Sequence, residues 1–205
     1  MHTIILASNN LHKVEEIQAA ISHLSDIRIL SLKEAGIEID IDETGTTLEE
    51  NAQIKAQAIY ELTGAMVLAD DSGLEVNYLN GAPGVKSARY AGIPPSDQGN
   101  ISKLLKELKD ADERSACFRT VLCFIHQGMP YFFEGIVEGE ILRESKGSQG
   151  FGYDPVFLPV GKDCSFAEMS LYEKNQISHR SKALKKFVEF LEDFVPSEHP
   201  QEKPH

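Results

Sequence analysis

Leu68-Ala69-Asp70-Asp71-Ser72-Gly73-Leu74 is the stretch on which the fold and the chemistry of this chain turn. It closes an apolar run, Ala65-Met66-Val67-Leu68-Ala69, that reads as a buried strand. Two adjacent carboxylates, a hydroxyl and a glycine then end the run. Side chains alternate along a strand, so Asp70 and Asp71 are expected on opposite sides, one serving the fold and the other facing a cleft. Open α/β sheets bind ligands just beyond the carboxyl ends of their strands. A carboxylate there suits Mg2+, a hard cation that takes oxygen ligands and keeps several waters. Asp, Ser and Gly are also ordinary turn residues, so the same residues fit a plain polar turn. The flanking segments have to separate the two readings.

Upstream, residues 3–8 form a short apolar strand, and Asn9 and Asn10 turn the chain into a helix with Val14, Ile17, Ile21 and Leu24 at helical spacing. Lys13 falls near the first turn of that helix. A helix N-terminus with a lysine suits phosphate. No GxxxxGK[ST] is present, and a solvated surface lysine also explains Lys13. Residues 27–32 read as a second strand. Glu38, Asp40, Asp42, Glu43, Glu49 and Glu50 then form an acidic stretch. Thr47 and Glu50 make a capping box for a helix whose face carries Leu48, Ala52, Ile59 and Leu62. Lys55 shares that face, with Asn51 one turn before it. Such a lysine either snorkels at the edge of the face or is aimed into a polar cleft.

Downstream, Leu74-Glu75-Val76 continues as strand, Asn80 to Gly84 is a turn-rich loop, and Ser87 to Gly92 shows no period. An amphipathic helix covers residues 97–109. Residues 115–126 alternate, with Phe118, Leu122 and Phe124 on one face. Residues 131–138 are the partner strand, joined through Gln127-Gly128-Met129-Pro130 as a hairpin. Strand and helix alternation followed by an antiparallel pair predicts an α/β fold. Its mixed central sheet carries flanking helices and forms two lobes around a cleft. Gly150-Phe151-Gly152-Tyr153-Asp154-Pro155 follows. Its glycines permit close backbone approach, Phe151 can stack on a planar ring, and Asp154 can accept from the N–H groups of a base. An ordinary loop with a buried aromatic is the alternative. Ser170 and Glu173 form a second capping box. The last helix covers residues 178–194, with Leu184, Phe187, Leu191 and Phe194 inward. Its start is basic: residues 171–186 hold Lys174, Arg180, Lys182, Lys185 and Lys186 against Glu173 alone. The tail, residues 196–205, reads as disordered, leaving residues 1–195 as one domain.

At 205 residues and 41% hydrophobic, the chain can bury a sizeable core. Its net charge of −12 argues against a nucleic-acid polymer or an anionic membrane surface as partner. Cys117, Cys123 and Cys164 form no CxxC pair, so neither a disulfide framework nor zinc is expected. The apolar run from Ile4 to Ala7 is too short for a leader or a span. A soluble cytoplasmic protein is the expectation. Against this acidic background stand carboxylates at 42–43 and 70–71, cations at Lys13, Lys55 and 174–186, and a loop able to hold a base. Together they fit a Mg2+–nucleoside polyphosphate. Ser72 lacks the G-x-S-x-G elbow of a nucleophilic serine.

With these segments in order, the chain resembles the Ham1/RdgB family of noncanonical purine nucleoside triphosphate pyrophosphatases, also called inosine triphosphatases. The likeness rests on Leu6 to Lys13, Glu43-Thr44-Gly45 with Glu50 to Ala52 and Lys55-Ala56, and Ala69 to Leu74. It continues through Gly81 to Gly84 with Ser87 to Tyr90, Gly150 to Pro155, and Glu173-Lys174 with Ile177 to Arg180. The resemblance implies hydrolysis of ITP, dITP and XTP to the monophosphate and pyrophosphate, with Mg2+, by a two-lobed homodimer that cleans the nucleotide pool. It makes Asp71 the general base and a metal ligand, with Asp42 or Glu43 as the second ligand. Ser8, Asn9, Asn10, Leu11, His12, Lys13, Lys55 and Ser72 would contact phosphates or sugar. Phe151, Asp154, Lys174, His179 and Arg180 would form the base pocket, with Gly152 and Tyr153 in the same substrate-binding loop.

The chain departs from the family pattern in three places: Ser8-Asn9 where Thr-Gly is frequent, Asp42 where Glu is common, and His12 where a small residue is common. A 6-oxo purine offers an acceptor to Lys174 or Arg180, whereas adenine's amino group would face a cation unpaired. Guanine shares the 6-oxo group, so its exclusion must come from its 2-amino group. A binding or sensing module without catalysis is the rival reading, and the presence of both Asp71 and Lys13 counts against it, since a pure binder needs no base beside the metal.

Overall fold

The computed structural model describes residues 2–194 except Asn9, and leaves the side chains of Leu11, His12 and Phe194 undescribed. The expected tail at 196–205 and the inward placement of Phe194 lie outside the described residues. The chain opens with β1 (His2–Leu6), α1 (Leu11–Ile21) and β2 (Ile27–Ser31), and α2 (Leu48–Thr63) then leads into β3 (Met66–Val76). β1 pairs in parallel with both β2 and β3. After α3 (Asp97–Glu107) come β4 (Ser115–His126), β5 (Met129–Ile141) and β6 (Phe157–Pro159), each antiparallel to the strand before it in the sheet. The sheet runs β2-β1-β3-β4-β5-β6, and α4 (Leu171–Ile177) and α5 (His179–Phe194) close the chain.

Local chemistry sets several boundaries. Thr47 accepts from the Glu50 N–H, and the Glu50 carboxylate reaches back to the Thr47 N–H, fixing the start of α2. Gly64 ends it in the left-handed region at φ 64°. The β4–β5 hairpin is tighter than the four-residue link expected. Gln127 and Gly128 alone make it, at φ 50° and 77°, the positive pair of a type I′ turn. Leu62 does not join the buried face of α2 and is 61% exposed. At 100° per residue it falls to one side of the stripe formed by Leu48, Ala52, Ala56 and Ile59.

The main correction concerns β3, which does not end at Ala69. It runs to Val76, so Asp70, Asp71, Ser72 and Gly73 are strand residues and not a turn. β4 pairs with it from Val67 to Val76, and this ladder satisfies the backbone on that side. Tertiary pairing overrides the turn preference of Asp-Ser-Gly.

Alternation along β3 and β4 then builds the layers. Odd residues Val67, Ala69, Val121, Cys123 and Ile125 pack with Ile5, Ala7 and the buried face of α2. Even residues Leu68, Leu122 and Phe124 pack with Ile4, Leu6, Val14, Ile17, Phe187 and Leu191 under α1 and α5. Farther along the same even face, Leu74, Val76, Ala116 and Phe118 form a separate core with Ile101, Leu104, Phe157 and Phe166. Asp70, Ser72 and Thr120 lie in register between these two even-face cores. One sheet therefore carries two lobes, and the seam between them is polar.

The first turn of α5 is laid over β5 at Gly135, where a Cβ would collide with the His179 carbonyl oxygen and approach the Ala183 nitrogen to 2.5 Å. Gly135→Ala therefore lifts the start of α5. The expected loss is about 2–3 kcal/mol, measured by urea unfolding, because the obstacle is backbone and cannot rotate away. Two lysines of the basic stretch serve this contact. Lys182 and Lys186 donate to the Ile136 and Glu134 carbonyls at 2.7 Å each, capping part of the edge of β5. They belong to the edge of the sheet, and not to the phosphate-binding cluster expected of residues 174–186.

Candidate active site

β1 ends at Leu6, and the Ala7 N–H still donates to the Leu68 carbonyl at 2.8 Å. Beyond that bond β3 has no strand partner on this side, among the described residues, until the isolated Glu75–Pro83 bridge. Side chains from both faces of the sheet can therefore approach one another around this stretch of open edge. It lies at the carboxyl end of the parallel strands, where α/β sheets bind ligands.

Asp70 is on the even face and 1% exposed. Its Oδ2 meets Lys13 Nζ at 2.7 Å, with Arg180 Nε at 3.9 Å. Burial pushes its pKa up, but Lys13, Arg180 and Lys55 outweigh burial and hold it at about 2. Arg180 is held in turn by Glu16, Nη1 to Oε2 at 2.6 Å. Asp70 is thus the anchor for two cations that come from different helices.

Asp71 points to the other face. Its Oδ1 accepts the Ser72 N–H at 3.1 Å and lies 3.4 Å from Lys55 Nζ, which also bonds Glu43 Oε1 at 2.7 Å. Asp71 Oδ2 and Asn51 Nδ2 are buried and neither makes a well-formed hydrogen bond, although the Asn51 amide acts on the Asp71 carboxylate and lowers its pKa. Desolvation raises the Asp71 pKa, Lys55 only partly opposes this, and Glu43 adds to it. Burial works against the charge on Lys55, but Asp71, Asp70 and Glu43 together raise its pKa.

Gly45 lets the 43–47 loop close onto α2. Its N–H donates to Asn51 Oδ1 at 2.8 Å, and a Cβ there would lie 2.6 Å from that oxygen. Of the two acidic candidates in this loop, Glu43 joins the Asp71 cluster and Asp42 is exposed. Glu43 is the central residue of a tight turn, closed by the Thr44 N–H donating to the Asp42 carbonyl at 3.1 Å.

The residues expected to form the base pocket converge across the seam. Asp154 Oδ2 accepts from Lys174 Nζ at 2.6 Å and from the Phe151 N–H at 2.9 Å. Gly150, at φ +76°, leaves room for that carboxylate, which a Cβ would strike. Lys174 Nζ lies 4.9 Å from the Phe151 ring centroid and the Arg180 guanidinium 5.8 Å from it. A cavity of about 430 Å³ opens here, lined among others by Glu16, Gly150, Phe151, Phe166 and Lys174. His179 is buried and stacks on Phe118 at 4.8 Å. Burial, reinforced by Arg180, Lys174 and Lys13, drives its pKa well below the ordinary value, so the ring is neutral at pH 7.

This has a consequence for stability. The unfolded chain takes up a proton on this histidine below about pH 6.5 and the folded chain does not. Folding stability therefore falls as pH drops from 6.5, by up to about 1.4 kcal/mol per pH unit. Urea unfolding between pH 7.5 and 5.5 should show this slope, and a flatter one in His179→Gln.

Two expected contacts are placed differently. Tyr153 is 4% exposed, and its hydroxyl donates to the Ser87 carbonyl at 2.8 Å, inside the fold. The Gly152 N–H is held by Asp97 Oδ2 at 2.7 Å. Both tie the base-side loop to the helix and turn beneath it. Among the residues expected to contact phosphates, Asn10 accepts from the Lys13 N–H at 3.3 Å and donates its own N–H to Ser8 Oγ at 3.2 Å, which orders the start of α1. Asn9 and the side chains of Leu11 and His12 lie outside the described residues. Ser72 Oγ pairs with Thr120 Oγ1 at 2.7 Å in the seam.

Known proteins resemble this chain along most of its length. A family profile described as the Ham1 family matches residues 4–190. The chain belongs to the Ham1 family. A dITP/XTP pyrophosphatase of Christiangramia forsetii is 48% identical over 188 residues, covering 92% of this chain and 98% of its own length. One from Bacillus licheniformis is 49% identical over 196 residues, covering 94% and 99%. A solved Ham1 protein structure from Coxiella burnetii is 42% identical and superposes with a TM-score of 0.89, covering 94% of this chain and all of its own.

Within this Ham1-family chain, three positioning residues escaped the sequence reading. Glu16 follows Lys13 by three residues, the spacing that puts both on one helix face. Thr120 breaks an otherwise apolar face, Phe118, Leu122 and Phe124, and that break was its visible signal. Gly135 carries no local signal, because its role depends on α5 crossing it. The three cysteines are unpaired, and no helix among the described residues is long and apolar enough to cross a membrane.

Proposed function

We propose that this chain hydrolyses noncanonical purine nucleoside triphosphates (dITP, ITP and XTP) to the monophosphate and pyrophosphate. The observation that carries this reading is the meeting of two charged clusters around the open edge of β3. Glu43, Lys55 and Asp71 stand on one side, and Lys13, Asp70 and Arg180 on the other. The cavity beside Phe151 and Lys174 adjoins the second cluster through Glu16, which lines it and bonds Arg180.

Mg2+ fits this donor set. No group of three or more His, Cys, Asp or Glu poised for a metal occurs among the described residues. Mg2+ does not need one, since it is commonly held by one or two carboxylates together with substrate phosphates and water. Asp71 Oδ2, which makes no well-formed hydrogen bond and has only the Asn51 amide acting on its carboxylate, is an available ligand atom, and Glu43 is the neighbouring carboxylate. Bound there, Mg2+ would neutralise phosphate oxygen charge.

In this reading Asp71 orients a water against the α-phosphorus and takes its proton. The water oxygen forms the new P–O bond, and the bond to the α,β-bridging oxygen breaks to release pyrophosphate. A carboxylate whose pKa is raised by burial is a stronger base than an exposed one. Lys13 and Lys55 hold phosphate oxygens. Lys174, steered by Asp154, donates to the 6-oxo group, whereas adenine's 6-amino group would meet a cation and leave a buried donor unpaired. Family resemblance extends the reading to a cytoplasmic homodimer with residues 1–195 as one domain, and with neither nucleic-acid polymer nor membrane as partner. Light scattering on a sizing column checks the dimer.

Product analysis tests the activity. With Mg2+ and dITP or XTP, pyrophosphate should appear as the first phosphorus product, and ATP and GTP should turn over far more slowly. Orthophosphate as the first product would make the protein a phosphatase of another kind.

A further inference from the structure

The segment Gly84–Arg89, a 3-10 helix beside β3, has no part in the mechanism above, yet buried groups fix its backbone from several sides. Ser87 Oγ accepts the Leu74 N–H at 2.9 Å and donates to the Gly84 carbonyl at 2.6 Å. Gly73 on β3 allows this approach, since a Cβ there would lie 2.6 Å from the Gly84 carbonyl oxygen. Asn100, 2% exposed, donates to the Ser87 and Ala88 carbonyls at 3.3 and 2.9 Å and accepts the Ala91 N–H at 2.7 Å. Tyr153 adds its bond to the Ser87 carbonyl. The side chain at the end of this platform is treated very differently. Arg89 is 42% exposed, and its Nη1 stands 3.9 Å from Glu43 Oε2, beyond hydrogen-bond length. A pair at that distance, with the guanidinium exposed, contributes little to stability. The nearby Arg119, by contrast, is engaged by Glu49, Glu134 and Glu75.

Charge balance points the same way. Around the cleft, Glu16, Glu43, Asp70, Asp71 and Asp154 outnumber the cations Lys13, Lys55, Lys174 and Arg180. A triphosphate adds further negative charge. A metal ion held by Glu43 and Asp71 would compete with Lys55 and Arg89 for the same carboxylates, which favours both cations turning toward the phosphates. Glu43 and Arg89 lie on the Asp71 side of β3, whereas Phe151 and Asp154 are at the base side. The phosphate nearest Arg89 is therefore one at the far end of the chain.

We propose that Arg89 is a further substrate-binding residue, the guanidinium that grips the terminal phosphates and then the pyrophosphate leaving group. The proposal rests on the pyrophosphatase reading and names the residue that holds its second product. A guanidinium suits this task because its planar fork binds phosphate oxygens in pairs. The rigid platform sets where the fork is delivered, and the loose Glu43 contact leaves it ready to move.

The test is calorimetric binding of inorganic pyrophosphate with Mg2+, and separately of inosine monophosphate, to full-length wild type, Arg89→Ala and Arg89→Lys. Arg89→Ala should weaken pyrophosphate binding roughly 10- to 100-fold, the scale of one or two charge-assisted hydrogen bonds. Monophosphate binding should stay within about two-fold and Tm should not move, because the lost ion pair is exposed. Arg89→Lys should recover part of the loss. Pyrophosphate affinity within two-fold of wild type in Arg89→Ala, an equal loss for the monophosphate, or no binding of pyrophosphate by wild type would each overturn the role of Arg89. The pyrophosphatase reading fails by a different result, the release of orthophosphate from dITP by wild type.

Discussion

Asp71→Asn should reduce kcat for dITP by about 10²- to 10⁴-fold, the usual contribution of a positioned general base. An amide keeps the shape of the side chain but cannot take the proton of the attacking water. Nucleotide binding with Mg2+ should persist, because Lys13, Lys55 and the Phe151–Lys174 pocket are untouched. The variant should be as stable as wild type or slightly more so. Burial raises the Asp71 pKa, so the ionised side chain at pH 7 is held at a cost that asparagine removes. Single-turnover product release and a thermal melt give both numbers. Activity within tenfold of wild type would remove Asp71 from the role of base.

The adjacent carboxylate should behave in the opposite way. Asp70→Asn is expected to destabilise the fold by about 3 kcal/mol, the lower end of the cost of breaking a buried ion pair. The lower end applies because Arg180 keeps Glu16 and the Lys13 side chain is 18% exposed and can turn toward water. In a chain of 205 residues this is a fall in Tm of roughly 6–12 °C. Acid should reproduce part of the effect in wild type. The folded pKa is depressed to about 2, so the stability Asp70 contributes is complete above the ordinary carboxylate range and disappears as pH falls toward 2. A melt of Asp70→Asn within two degrees of wild type would show that Lys13 and Arg180 do not depend on this carboxylate. One residue of register is thus expected to separate a position whose loss harms folding from one whose loss harms turnover.

Alternation already assigned Asp70 and Asp71 to different sides when only the residue order was in hand. Capping boxes at Thr47 and Ser170 and the hairpin at Gln127 were equally local, and the structure keeps all three. What failed was also local in kind. Asp-Ser-Gly carries a turn preference, and nothing near it in the chain announces the partner, β4, that holds those residues in the sheet. Lys182 and Lys186 looked like members of one basic cluster because they are close in sequence, but on a helix they face β5 and not the cleft. Tyr153 stands inside a substrate-loop motif, yet its hydroxyl is bonded to a backbone carbonyl 66 residues away in the chain.

Residue order by itself determined the elements, the alternation of the two aspartates and the chemical types needed for a metal–triphosphate site, because each depends on periods of two or 3.6 residues and on nearest neighbours. Only the tertiary structure decided that β1 stops at Leu6 while β3 runs on. That difference in length opens the edge around which Lys13, Lys55 and the two carboxylates meet. It also decided that Glu43 and not Asp42 shares Lys55 with Asp71, and that Gly135 admits the start of α5. These are long-range packing outcomes, fixed by which surfaces fit together in space and carried by no single segment of the chain.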